Sequence, residues 1–208
     1  MASNPTISSL LQSWRLAGRI AELGSLGRCA RSLILKLMQD IQKLTADEAR
    51  GVLSQLVALL QDAVHDGASI GFTQPLSVDV AERYWQDVFR EVGQGSRILL
   101  ATRRDGVVVG GVQLGLCTRP NGLHRAEVQK LFVHTRWRRQ GIAKALMAAI
   151  EQEARAAQRS LLYLDTEPHK PAAAMYEQTG WIRAGEIPGY ACSPDGHLHG
   201  TTFYYRTI

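Results

Sequence analysis

The stretch from Val128 to Ile150, "VQKLFVHTRWRRQGIAKALMAAI", constrains this chain more than any other. An apolar run that reads as a strand stops at "HTRWRRQ", turns at Gly141 and passes at once into helical spacing, with Ile142, Leu146 and Ile150 on one stripe. A helix that starts directly on such a loop presents its first N–H groups, at the positive end of its dipole, to whatever lies in the turn. Gly141 and Ala143 are small enough to let a phosphate approach the backbone, while Arg136, Arg138, Arg139 and Lys144 supply charge. The loop is neither GxxxxGK[ST] nor GxGxxG. Taken alone it leaves open an anion site or a helix start decorated with solvated arginines.

The rest of the chain supplies the setting. "IQKL" reads as a short strand, and Thr45 as the N-cap of one helix running through "ADEARGVLSQLVALLQDAVHDG" to a terminal glycine. Ser77 caps a second helix, "VDVAERYWQDVFREV". "RILLATR" and "VVVGGVQLGLC" form a hairpin about Asp105-Gly106, and Asn121-Gly122 marks a second hairpin turn before "RAEVQKLFVH". After the opening helix, Ile142 to Ala157, come the strand "SLLYLDT" and a short helix, "KPAAAMYEQTG", with Pro171 in its first turn and Gly180 as its cap. "WIRAGEI" and "TTFYYRTI" read as closing strands. The order β-α-α-β-β-β-α-β-α-β-β predicts a mixed α/β domain over residues 38–208.

Charge is unevenly placed. Of a net +5, residues 1–37 carry five basic side chains against one acidic, leaving 19 basic against 18 acidic elsewhere. The domain is close to neutral, which gives no case for nucleic acid as a partner. Residues 1–37 read as a basic extension, disordered or weakly helical, with a transit peptide or a start of translation at Met38 as alternatives. Cys29, Cys117 and Cys192 form neither a disulfide framework nor a CxxC metal site, so a reducing cytoplasm is expected. No apolar run reaches the roughly 20 residues needed to cross a bilayer, and no membrane association is expected.

Arg138-x-x-Gly141-x-Ala143 matches the R/Q-x-x-G-x-G/A signature of the GNAT acetyltransferases, and "AAAMYEQTGW" resembles their A-x-x-x-Y-x-x-x-G-F block. Residues 41–208 resemble this family throughout. The resemblance implies a twisted, mostly antiparallel mixed sheet flanked by helices, with a splayed parallel strand pair holding acetyl-CoA. It implies that Arg138, Arg139, Gln140, Gly141, Ile142, Ala143 and Lys144 surround the pyrophosphate, and that Leu131, Phe132 and Val133 lie along the pantetheine arm. Leu131 or Phe132 would offer an oxyanion-stabilising N–H from a strand bulge. Ala172 belongs to the second block, and His169 stands where the family often has asparagine. A narrower resemblance, strongest in "PNGLHRAEVQKL" and "PDGHLHGT", is to the tabtoxin-resistance acetyltransferases of plant-pathogenic bacteria, which acetylate tabtoxinine-β-lactam.

Acetylating an amine requires a base, because a lysine-like amine with a pKa of about 10.4 is protonated at neutral pH. Glu127, early on the strand before the loop, and Asp165, ending the next strand, are the candidate bases, and the narrower resemblance implies the same two. Pairing of Glu127 with Lys130 or Arg125, and capping of a turn by Asp165, are the structural alternatives. The family resemblance assigns Tyr176 as general acid; packing against Trp181 is its alternative. Ser69 and Phe72 are candidate acceptor contacts, where the family forms its acceptor wall, and Glu127 and Asp165 line the same site. His197 and His199 lack a third metal ligand type nearby, so no metal is expected. The expected partner is a small amine or amino-acid-like acceptor, attacked directly in a ternary complex. Acetylation of a protein or peptide, or non-catalytic sensing of acyl-CoA, remain alternatives, and the resemblance leaves a homodimer open.

Overall fold

The chain builds one seven-stranded sheet in the order β1-β2-β3-β4-β5-β7-β6. The computed structural model describes residues 40–208; the basic extension of residues 1–37 lies outside them. The strands are β1 (Ile41–Leu44), β2 (Arg97–Arg104), β3 (Val107–Leu116), β4 (Arg125–Val133), β5 (Leu161–Thr166), β6 (Ile182–Cys192) and β7 (Leu198–Thr207). Every neighbouring pair is antiparallel except β4–β5. The helices are α1 (Ala46–Arg50), α2 (Leu53–His65), α3 (Val78–Gly93), α4 (Ile142–Ala156) and α5 (Pro171–Gln178).

Local chemistry sets most of these boundaries. Thr45 accepts from the Glu48 N–H at 3.2 Å while Glu48 accepts from the Thr45 N–H at 2.8 Å, a reciprocal capping box. Ser77 accepts from Val80 N–H at 3.3 Å and starts α3. Asp105 and Gly106 have φ of 51° and 81°, the pair of left-handed residues that a two-residue hairpin following strand twist requires.

Three expectations are corrected. The first long helix is two, because the chain turns at Gly51 and Val52, where Val52 has φ −121°; the break lets Ala49, Val52 and Leu56 bury in one cluster. Asn121-Gly122 joins antiparallel strands, but through a 3-10 turn, Pro120–Gly122, rather than a two-residue hairpin. Gly122 serves there by close approach, since a Cβ would stand 2.5 Å from Cys117 Sγ. The closing strands are longer than read: β6 continues through Pro188 to Cys192, which an edge strand tolerates because its outward N–H needs no partner. The register slips around Pro188 and Gly189, between Ile187 and Ala191.

The sheet separates two cores. On one face α4 buries Ile142, Leu146 and Ile150 against Val112, Ala126, Val128 and Leu162, joined by Tyr176 and Trp181 of the α5 region. On the other, α1, α2 and α3 bury Leu56, Leu60, Trp85 and Phe89 against Leu99, Ala101 and Phe132. Each such aliphatic side chain stabilises the fold by about 1.5–3 kcal/mol. The fit under α4 is tight at Gly110, where a Cβ would meet Ile142 Cγ2, Leu146 Cδ1 and Thr102 Cγ2, all at 3.2 Å. Gly110→Val is therefore expected to lower stability by about 1–3 kcal/mol. Urea unfolding checks this; an unchanged midpoint would show that α4 yields freely.

Candidate active site

The site begins where two parallel strands part. β4 and β5 pair only at Arg125↔Leu161, Ala126↔Leu162 and Glu127↔Tyr163. Beyond Glu127, β4 keeps β3 as its neighbour and β5 keeps β7, so a wedge opens between their C-terminal ends. Ligands bind at such ends because backbone N–H and C=O groups freed from the ladder line the gap.

The first of β4's special features is a bulge. Gln113 pairs with Gln129 and Gly111 with Phe132, so Lys130 and Leu131 together oppose Val112. Lys130 takes φ 52°, an uncommon conformation for a residue other than glycine. The bulge reverses the strand's phase. Ala126 and Val128 face the α4 core before it, and Leu131 and Val133 do so after it, while Phe132 enters the α3 core. Side chains of Phe132, Val133 and Ile142 are thus all committed to cores.

Glu127 and Tyr163 lie in register, with Tyr163 donating to Glu127 Oε2 at 3.4 Å. Asp165 stands two residues beyond Tyr163 on the same face, opposite to that of the buried Leu162 and Leu164. The two carboxylates therefore share one face at the mouth of the wedge. Burial pushes the Asp165 pKa above the usual carboxylate value, with Lys130 partly offsetting it. Desolvation is the principal cause.

After β4 the chain passes through a 3-10 turn, Thr135–Trp137, into the glycine loop. Asp62 accepts from Thr135 N–H and Oγ1–H, both at 2.8 Å. One helical turn on, Asp66 accepts from Arg138, whose Nε also donates to Val133 O at 3.1 Å. Arg138 is thus a brace for the loop. The i,i+4 pair of Asp62 on α2 and Asp66 at its C-cap is a brace not singled out from the sequence, although its spacing is visible there. Arg139, with φ 60°, Gln140 and Lys144 are exposed. Gly141 is the α4 N-cap with φ 81° and ψ 0°, has no side-chain cap, and leaves the first N–H groups of the helix open to an anion.

Tyr176 is 6% exposed, with its ring 6.0 Å from Trp181 and 5.9 Å from Tyr204. Burial, aided by Asp165, drives its pKa far up. His169 is exposed, with φ 63°, just before α5, and Ala172 is half-buried in the first turn of that helix.

Ser69 and Phe72 lie between α2 and α3. Ser69 Oγ is 2.8 Å from His199 Nε2, and Gln74 N–H donates to Pro194 O at 2.9 Å, so the β6–β7 turn braces this segment. A cavity of about 430 Å³ is lined by Ser69, Phe72, Leu76 and Cys192, and its walls include neither candidate base. Lys130, read in the sequence only as a partner for Glu127, donates instead to Ile70 O at 2.6 Å and stands 5.9 Å above the Phe72 ring. A half-buried network on the same side joins Arg97 to Glu91, to Gln113 at 2.7 Å and to Gln129 at 2.5 Å, and Tyr84 to Gln113.

A splayed parallel pair, a bulged strand and a glycine-capped helix define the acetyltransferase class of this fold. Residues 55–181 match the family model of the Acetyltransferase (GNAT) family, and the chain belongs to that family: it is an acetyl-CoA-dependent N-acetyltransferase. It is 37% identical over 117 residues, 55% of this chain and 68% of the relative, to an uncharacterized N-acetyltransferase in the hisH-hisA intergenic region of Azospirillum brasilense. Among solved structures it resembles the ribosomal-protein-alanine N-acetyltransferase of Brucella melitensis, with TM-score 0.68, 22% identity, and coverage of 81% of this chain and 99% of that one. A Salmonella typhimurium protein assigned as an acetyltransferase and solved with its cofactor acetyl-CoA aligns with TM-score 0.64 at 16% identity, covering 80% and 92% of the two chains. Among the described residues no helix is long and apolar enough to cross a membrane.

Proposed function

We propose that this chain acetylates the amino group of a small, amino-acid-like acceptor by direct attack in a ternary complex. The observation that carries the reading is the placement of Glu127 and Asp165 on one sheet face at the mouth of the wedge, in a chain whose α4 has an open N-terminus. The residues fit acetyl-CoA: Gly141 leaves the helix N–H groups uncapped, and β4 beyond Glu127 has no neighbour on its β5 side. Gly141, Ala143 and Lys144 would hold the pyrophosphate, and the β4 backbone from Leu131 to Val133 the pantetheine arm. Acetyl-CoA supplies the acetyl group, activated as a thioester.

The protein's own residues manage protons and charge. Asp165, with its raised pKa, takes the acceptor's proton, while Glu127 holds the ammonium on entry. A bulge leaves an N–H outside the ladder, and in this reading Leu131 or Phe132 would direct one at developing negative charge. Tyr176 serves in this reading as the general acid: burial drives its pKa far up, so the hydroxyl is protonated at neutral pH and can assist the departing thiolate. Tyr176→Phe is expected to cost about 100-fold or more in kcat/KM, the range of a positioned acid. A loss below about tenfold would leave it only its packing against Trp181.

Tabtoxinine-β-lactam is the finer acceptor proposal, with toxin resistance as the role. Similarity of "PNGLHRAEVQKL" and "PDGHLHGT" to the tabtoxin-resistance enzymes supports it, and the second of these segments includes His199, the partner of Ser69. The test is thiol release from acetyl-CoA with tabtoxinine-β-lactam, amino acids, polyamines and peptides. Turnover confined to small amino acids supports the reading; turnover of peptides alone would replace it with a protein acetyltransferase.

A further inference from the structure

We propose that Lys130 anchors an acceptor carboxylate, so that the substrate is a zwitterion whose carboxylate meets this ammonium while its amine meets Glu127 and Asp165. The inference rests on the acetyltransferase reading and specifies the chemistry of its acceptor. Three observations carry it.

The bulge turns Lys130 out of the α4 core and onto the face that carries Glu127. There its Nζ has three protons and, among the described residues, one hydrogen-bond partner, the Ile70 carbonyl. Two donors remain to be used.

Asp165 and Glu127 both act electrostatically on Lys130, Asp165 more strongly. Neither is joined to it in an ion pair, whereas Arg97 on this face is bound to Glu91, Gln113 and Gln129. Burial lowers the Lys130 pKa, and the two carboxylates only partly restore it. An incoming carboxylate would supply the charge that this ammonium lacks.

The surroundings keep space for it. Gly71, at φ 88°, stands so close that a Cβ there would lie 3.2 Å from Lys130 Nζ. Any side chain at that position would crowd the ammonium, whereas glycine leaves that side clear. Phe72 walls another side, and its ring is held edge-on by Tyr84 at 5.2 Å. A cation with unused donors, one apolar wall and two carboxylates set apart from it match the two ends of an amino acid.

The experiment compares each diamino acid with the diamine left after loss of its carboxylate: lysine with cadaverine, ornithine with putrescine, and 2,4-diaminobutyrate with 1,3-diaminopropane. Thiol release is measured for the wild type, Lys130→Met and Lys130→Arg, with acetyl-CoA affinity and thermal unfolding recorded for each to separate misfolding from lost recognition. The wild type is expected to prefer the acid of at least one pair. Lys130→Met, which keeps the length of the side chain, is expected to reduce that preference about 10- to 100-fold in the ratio of kcat/KM values, and Lys130→Arg to recover part of it. A wild type that favours the diamines, or a Lys130→Met variant whose preference is unaltered, overturns the assignment while leaving the acetyltransferase reading intact. A wild type that releases no thiol with any acceptor overturns both. If Lys130→Met loses its fold, Gly71→Ala replaces it as the variant that crowds the ammonium, and an unaltered acid preference there also overturns the assignment.

Discussion

Asp165→Asn is expected to lower kcat/KM by about 10²- to 10⁴-fold, the range for removing a positioned base, with acetyl-CoA affinity held within a few-fold. Asparagine keeps the shape of the side chain and removes its capacity to take a proton. The pH profile tests the assignment further. Burial raises the Asp165 pKa above the usual carboxylate value, and only the ionised form is a base. The rate therefore rises with pH through that raised value and levels above it, and Asp165→Asn should lack this limb. A variant that retains both the limb and the rate would transfer the role to Glu127, whose Gln variant is the matched comparison.

The second large effect is expected at the loop. Gly141 has φ 81° as the α4 N-cap, a conformation that costs a residue with a Cβ about 1–2 kcal/mol and is an outlier for a β-branched one. In Gly141→Val the backbone must move, and the first N–H groups of α4 no longer converge on the turn. KM for acetyl-CoA is expected to rise about 10- to 100-fold, while acceptor preference at saturating acetyl-CoA stays as it was. Calorimetric titration with coenzyme A gives the affinity directly. An unchanged affinity with a lower melting temperature would mean that Gly141 shapes the fold and leaves the anion to the arginines.

The two effects divide the site according to how it is built. Asp165 hangs from a strand fixed on its outer side by β7, whereas Gly141 sits in a loop braced from α2. Asp62 and Asp66 reach that loop from the opposite side of the sheet edge to the core of α4. Arg138, the first residue of the signature, directs two guanidinium nitrogens to this brace and so is expected to serve cofactor binding by holding the loop's shape.

Much of this was legible in the chain itself, because the information is local. Thr45, Ser77 and Asp105-Gly106 act through atoms within a few residues, and they formed the caps and turn that their chemistry dictates. The strand, glycine loop and helix around Gly141 are likewise set by short-range sterics and by a stripe of apolar side chains, and with the second family block they identified the class of enzyme.

What the sequence could not decide depends on neighbours distant in the chain. Strict alternation from Ala126 and Val128 would put Lys130 in the α4 core. The bulge that turns it toward Phe72 exists because β4 must match β3 on one side while parting from β5 on the other. The break at Gly51 and the continuation of β6 past Pro188 follow in the same way from shared burial and an edge position. The sequence by itself determined the caps, the Asp105-Gly106 turn and the glycine loop, since each follows from residue type and spacing. Only the tertiary structure decided which face Lys130 occupies and where β4 and β5 part, because strand phase and strand separation are set by long-range pairing rather than by any residue's own preference.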